Sequence, residues 1–266
     1  MLIGAHPDDC EYRCGGVAAL WAQRGHRVSL VSVTNGQSGH HEQGGSILAQ
    51  RRIAEARAAA EVIGAESLVL PIPDGQLEPT LVNRLMLIRV IRRFQADLII
   101  TNRPNDYHPD HRYTSQLVQD SAFLLTVPHI APEVPALRDN PVVLYWSDPF
   151  QKPIPFDPQI AIDIDGVLEK KVLMLHRHTS QMYEWLPWLD HALDRVPADD
   201  SARRQWLAAT FLARERPSVA ERFRGLLVER YGQTRGADIQ NAEAFEVCEY
   251  GAPLDEAGKE RFFGGL

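Results

Sequence analysis

Cysteine is scarce. Cys10, Cys14 and Cys248 are an odd number without the paired spacing of a disulfide framework, so a reducing, cytoplasmic setting is expected. An excess of basic residues is also missing: 28 Lys and Arg stand against 35 Asp and Glu, a formal net charge of −7. That balance argues against a nucleic-acid partner, whose phosphates need a basic surface. No uncharged apolar run approaches the roughly 18 residues of a membrane span, and the first residues, Met-Leu-Ile-Gly-Ala-His-Pro-Asp-Asp, have neither the basic nor the apolar region of a signal peptide. No membrane partner is expected. Gly-x-Gly-x-x-Gly is absent after the first apolar run, which disfavours a nicotinamide-dependent oxidoreductase. What remains is ordinary globular usage, 44% apolar and 24% charged, over 266 residues, a length that buries a full core. Chemistry on a small molecule is the expectation, and a homo-oligomer is compatible with it.

Short apolar runs alternate with helical patterns through the first half. The pattern predicts strands at Leu2–Ala5, Arg27–Val33, Leu68–Pro71 and Leu98–Thr101, and helices at Gly15–Gln23, Ile47–Ile63 and Leu81–Phe94. This is an α/β fold, a Rossmann-like, mostly parallel sheet with helices on both faces. A Pro-rich stretch, Val127 to Pro141, separates it from a second half with strands at Val142–Trp146 and Ile160–Ile164. Helices follow at Gly166–His178, Ala202–Arg214 and Val219–Tyr231, with a returning strand at Ala244–Tyr250. We read one domain, with a Rossmann-like half over residues 1–126 and a helical C-terminal elaboration over 127–266.

Ligand sites in such sheets lie beyond the carboxyl ends of the strands. The first strand runs into His6-Pro7-Asp8-Asp9, and the fourth into Asn102-Arg103-Pro104-Asn105-Asp106-Tyr107-His108-Pro109-Asp110-His111. Both clusters leave the sheet at one edge, and together they offer the imidazoles and carboxylates that zinc accepts. A site of two His and one Asp keeps a position for water, whose pKa the metal lowers toward about 7, and a spare carboxylate can then act as base. The same donor set also holds Fe(II) in non-heme oxygenases. A non-catalytic sugar-binding module on this scaffold is a further alternative, one that would lack a base or an acid.

These motifs resemble those of the PIG-L/LmbE-like family of metal-dependent N-acetylglucosamine-type deacetylases. His6-Pro7-Asp8-Asp9 with Gly15-Gly16 is similar to the first family motif and His108-Pro109-Asp110-His111 to the second. Thr34-Asn35-Gly36, Arg52 with Glu55, Pro73-Asp74-Gly75, Lys171 with His178, Ser180 and Gln181, and Gly236 with Ala242-Glu243-Ala244-Phe245 match further segments in order. Glu11 and the run Arg103 to Tyr107 are nearest to the bacillithiol-pathway-like branch. The resemblance implies that His6, Asp9 and His111 ligate a divalent metal, zinc or Fe2+. It makes Asp8 the general base for a metal-bound water attacking the amide of an N-acyl glucosamine-type substrate. His108 would be the acid and oxyanion partner, Asp110 would orient His108, and Arg52 and Asp74 would hold sugar hydroxyls.

Bland readings stand beside these. Arg52 can be a helix-surface residue paired with Glu55, and Asp74 part of a Pro-Asp-Gly turn. Cys10 and Arg13 depart from the family wording, which has Glu and Gly there. We read Cys10 as no ligand, and Cys14 as a small residue at a helix start. His40 and His41 read as solvated loop residues, and Tyr183, Trp185 and Trp188 as a packed helix face.

Overall fold

The computed structural model describes residues 1–214 and 217–266, the side chains of 211–216 excepted. Its elements in chain order are β1 (Leu2–Gly4), α1 (Asp9–Gln23), β2 (Ser29–Thr34), α2 (Gly45–Glu61), β3 (Glu66–Ile72), α3 (Leu81–Phe94), β4 (Leu98–Thr101), α4 (Pro109–Ala122), β5 (Val142–Trp146), β6 (Ile160–Asp163) and α5 (Leu168–Arg177). A π-helical turn (Ser180–Trp185) leads into α6 (Leu186–Leu189), α7 (Asp200–Arg214), α8 (Val219–Arg222), α9 (Arg224–Tyr231), α10 (Gln233–Asp238), β7 (Ala242–Val247) and α11 (Glu256–Phe263).

Seven strands form one sheet in the order β3-β2-β1-β4-β5-β7-β6. The first five are parallel, and β7 runs antiparallel between β5 and β6. The α/β reading therefore holds, and strands from both halves of the chain share the sheet. Chain order reverses between β1 and β4, which are hydrogen-bonded neighbours with Leu2 opposite Ile100. Such a reversal opens a crevice beyond the strand ends. Both His/Asp clusters leave from these two strands.

Central strands covered on both faces read as continuous apolar runs because successive side chains point to opposite sides. Leu2, Leu30, Ile100 and Leu144 pack with Val17, Ala18 and Trp21 of α1 and Met174 of α5. Ile3, Val31, Ile99 and Val143 pack on the other face with Leu87, Ile88 and Ile91 of α3 and Leu117 of α4. The Pro-rich stretch is organised by a buried cation. Arg92 of α3 is fully buried and donates to the carbonyls of Leu124, Leu125, Val127, Ala131 and Val134.

Helix α1 is broken where the sequence places a helix start. Cys14 has φ −140° and ψ 16°, and the N–H groups of Gly16 and Val17 beyond it are taken up by the Glu243 carboxylate at 2.9 and 2.8 Å. Lys171 of α5 reaches the same carboxylate at 2.6 Å. A Cβ at Gly16 would lie 2.7 Å from Ile164, so only glycine permits this approach. Two segments matched from the far end of the sequence thus converge on the helix that carries the first motif. The predicted helix over Val219–Tyr231 is two helices, because Phe223 adopts φ −119°, ψ 32° between α8 and α9.

Candidate active site

Strand β1 ends at Gly4, and His6-Pro7-Asp8 turn the chain into α1. Strand β4 ends at Thr101, and the second cluster reaches α4 with His108 as its N-cap and Pro109 at its first position, where a missing N–H costs nothing. Nothing in the apolar pattern announced α4, so the second motif is the first turn of a helix and not a free loop.

His6 Nδ1 lies 3.2 Å from His111 Nε2, and Asp9 Oδ2 lies 3.7 Å from the first and 3.5 Å from the second. Three ligands about 2.0–2.1 Å from a tetrahedral zinc would stand roughly 3.3–3.4 Å apart. The far nitrogens settle what the near ones present. His6 Nε2 faces Asp74 Oδ1 at 3.2 Å and Asp110 Oδ2 at 3.3 Å, and His111 Nδ1 faces Asp106 Oδ2 at 3.1 Å. Each ring N–H belongs with those carboxylates, which leaves two imidazole lone pairs and a carboxylate pointed at one spot. Two imidazoles and a carboxylate at this spacing are donors that a divalent cation accepts, so the residues fit a divalent metal. Two other donor groups are as compact, His6 with His108 and His111, and His6 with Asp74 and Asp110. The latter is buried, and its carboxylates accept from Ser38, Gly75 and Leu77 N–H groups.

The local field is strongly negative. Burial works against a charge on His6, yet Asp110, Asp74 and Asp9 raise its pKa well above the ordinary value. Asp9 is likewise disfavoured by burial, but the neighbouring His111 and the bonds from His6 hold it far below the usual carboxylate range. Its Oδ2 accepts the backbone N–H of Ala5 and of His6 at 2.8 and 2.9 Å. Burial pushes the Cys10 thiol well up, and its Sγ donates to Val31 O, consistent with no ligand role.

Asp8 adjoins this triangle. It has φ 137°, a conformation that disfavours a side chain by on the order of 1–3 kcal/mol and is kept only where neighbours dictate it. Burial pushes its carboxyl up to about 6, against the pull of Arg52. His108 accepts the Asp110 N–H at Nδ1 (3.2 Å), so Nε2 carries its proton. Burial, and then the neighbouring His6 and His111, lower the pKa of His108.

Several expectations change. The Asp110 carboxylate does not orient His108. It accepts Gly75 N–H at 2.7 Å and faces His6, because it projects inward from the first turn of α4, fully buried. Arg52 is not a surface residue paired with Glu55; it is 2% exposed, and Arg51 makes the i,i+4 pair with Glu55. Asp74 sits in its turn but is buried against His6. His40 and His41 are not solvated, since their side chains are 2% and 13% exposed. His40 Nε2 lies 2.8 Å from Glu184, which also takes two bonds from Arg51, and His41 stacks on Trp188 at 5.3 Å. Tyr183 is buried as expected, whereas Trp188 is 43% exposed. The second half holds this wall in place: Glu55 accepts from Thr179 and Ser180, and Gln181 donates to Gly39 O. Asp106 and Glu184 were missed as supports. Asp106 stood in the quoted run, and its offset of two before a capping His was the available signal; its Oδ1 accepts the His108 N–H at 2.9 Å.

A family model described as "PIG-L: GlcNAc-PI de-N-acetylase" matches residues 1–122. The chain is 27% identical over 205 residues to a diacetylchitobiose deacetylase of Thermococcus kodakarensis, covering 71% of this chain and 74% of that protein. It is 26% identical over 204 residues to a 4-oxalmesaconate hydratase of Pseudomonas putida, covering 73% and 78%. In three dimensions it is similar to the N,N'-diacetylchitobiose deacetylase of Pyrococcus horikoshii, with a TM-score of 0.69, 21% identity, and 94% of this chain and 83% of the other covered. That likeness carries the fold. Residues 1–122, which hold every group of the two motifs, are thus similar to the PIG-L family, as the motifs of the sequence imply.

Proposed function

We propose that this protein is a metal-dependent N-deacetylase that hydrolyses the acetamide of a glucosamine-containing small molecule. The carrying observation is the triangle of His6 Nδ1, Asp9 Oδ2 and His111 Nε2, 3.2–3.7 Å on a side, with Asp8 and His108 beside it. These three residues would hold the metal. When bound, zinc or Fe2+ supplies Lewis acidity and lowers the pKa of water toward about 7.

The chain's own residues do the rest. Asp8, raised to about 6, is a base matched to neutral pH and takes a proton as water adds to the amide carbon. His108, fixed as the Nε2–H tautomer by the Asp110 N–H, donates to the oxygen that becomes negative. When the C–N bond breaks, the proton held by Asp8 passes to the leaving nitrogen, giving acetate and a free amine. Asp106, Asp74 and Asp110 keep the two histidine rings oriented. The spare Asp8 and the match to a deacetylase family favour this reading over the oxygenase and the binding module.

One observation supports a second reading, addition of water to a carbon–carbon double bond: the hydratase among the relatives. The same base would serve it. The test is primary-amine release from N-acetylglucosaminides with sugar, polyol and carboxylic-acid aglycones, by the protein as purified, after chelation, and after restoring zinc or iron. Release that chelation abolishes and metal restores is expected. Loss of absorbance from an unsaturated tricarboxylic acid, with no amine from any amide, would replace the deacetylase by the hydratase.

A further inference from the structure

We propose that Arg52 is a positioning residue for the candidate base, holding the Pro7–Asp8 turn in its strained conformation instead of gripping substrate. The proposal rests on the reading of Asp8 as base. Arg52 extends from α2 beneath the exits of β1, β2 and β3, where its Nη2 donates to Pro7 O at 2.7 Å and to Asp8 Oδ1 at 3.2 Å. Its Nη1 donates to Gly36 O at 3.2 Å and lies 4.0 Å from Asp74 Oδ2. Both terminal nitrogens are therefore engaged within the protein.

The surrounding sequence is shaped around this guanidinium. Gly36 has φ +67°, and a Cβ there would fall 2.5 Å from Arg52 Nη1 and 2.7 Å from Cζ and Nε. A Cβ on Gly39 would lie 2.9 Å from Nη1. Two glycines of the loop after β2 thus clear the volume that the arginine fills. What it holds is the one residue of the two His/Asp motifs with a left-handed backbone, Asp8 at φ 137°. A planar fork can bridge a carbonyl and a carboxylate on one nitrogen while a second nitrogen grips another loop; a lysine ammonium, a point donor, cannot span the same three groups. Removing the fork frees the turn to relax and moves the Asp8 carboxylate, and a displacement of about 1 Å at a reacting group costs on the order of a hundredfold in rate.

The test compares Arg52→Met, Arg52→Lys and Gly39→Ala with the parent protein, by crystal structure, metal content and steady-state kinetics on an N-acetylglucosaminide. Gly39→Ala displaces the guanidinium without removing it, and serves if the Arg52 variants do not fold. Expected are an Asp8 backbone that leaves the left-handed region in Arg52→Met, unchanged metal content, and kcat lowered about a hundredfold with KM within about twofold. Arg52→Lys should recover part of kcat. An unmoved Asp8 with kcat intact, or a rise confined to KM, would overturn the proposal and return Arg52 to substrate binding. The crystal structure decides the point even if the parent releases no amine, an outcome that would strike the deacetylase reading alone.

Discussion

The two halves of the chain contribute differently to the crevice. Every group proposed for the chemistry comes from residues 6–111, on the segments that leave β1 and β4, with Asp74 after β3 and Arg52 on α2 beside them. The second half contributes supports: Lys171 and Glu243 at the break in α1, Glu11's partner His178, the Thr179-Ser180-Gln181 turn on Glu55 and Gly39, and Glu184 on His40. Chemistry is arranged locally in sequence, and its rigidity is arranged at long range. The two parts should therefore fail differently when altered.

The largest effect should come from the first half. Asp8→Asn should lower kcat for amide hydrolysis about a thousandfold, within the usual range for removing a general base, without lowering the melting temperature. A comparable loss in a second-half variant that folds and melts normally would erase the contrast. Lys171→Met is the sharpest second-half counterpart. It strips the cation from a carboxylate that is 3% exposed, and breaking a buried pair costs about 3–5 kcal/mol, read as a lower denaturation midpoint. Midpoints equal to the parent's would show that α1 does not depend on this clamp.

How much of this was legible follows the same division. α3, β4 and β5 were read with the bounds they have, since each is a dense apolar pattern with clear ends. The two motifs and their convergence were legible because the strand exits of a parallel sheet are predictable from strand order. Helix α4 was not, for its face is mixed and its cap is a histidine usually read for chemistry. The break at Cys14 depends on a carboxylate 229 positions later, and the burial of His40 and His41 on Glu184 and Trp188, more than a hundred residues away. No local pattern carries such contacts. The hydratase alternative was equally out of reach, because one base beside one metal site serves both additions of water.

Smaller effects refine the picture. Asp106→Asn should weaken metal binding roughly 10- to 100-fold, the usual cost of losing a carboxylate behind a ligating histidine. Titration with a competing chelator measures it, and unchanged affinity would show that His111 needs no such support. The smallest effect expected is a pH dependence of stability from His178. Burial lowers its pKa, but Glu11, 3.1 Å away, together with Asp8 and Glu55, raises it above the ordinary 6.5. A histidine raised on folding contributes stability that is fully present below its unfolded pKa and is lost as pH rises through the folded value. The gap in melting temperature between the parent and His178→Phe should therefore narrow from about pH 6 toward alkaline pH; a gap that widens would contradict the assignment.

The central claim is that adjacent carboxylates have separate tasks, Asp9 holding the metal and Asp8 moving the proton. Metal content of purified Asp8→Asn and Asp9→Ala, after zinc loading and removal of free ion, tests it most directly. The account predicts parent-like zinc in Asp8→Asn and loss of it in Asp9→Ala; metal lost from Asp8→Asn, or kept by Asp9→Ala, would contradict it.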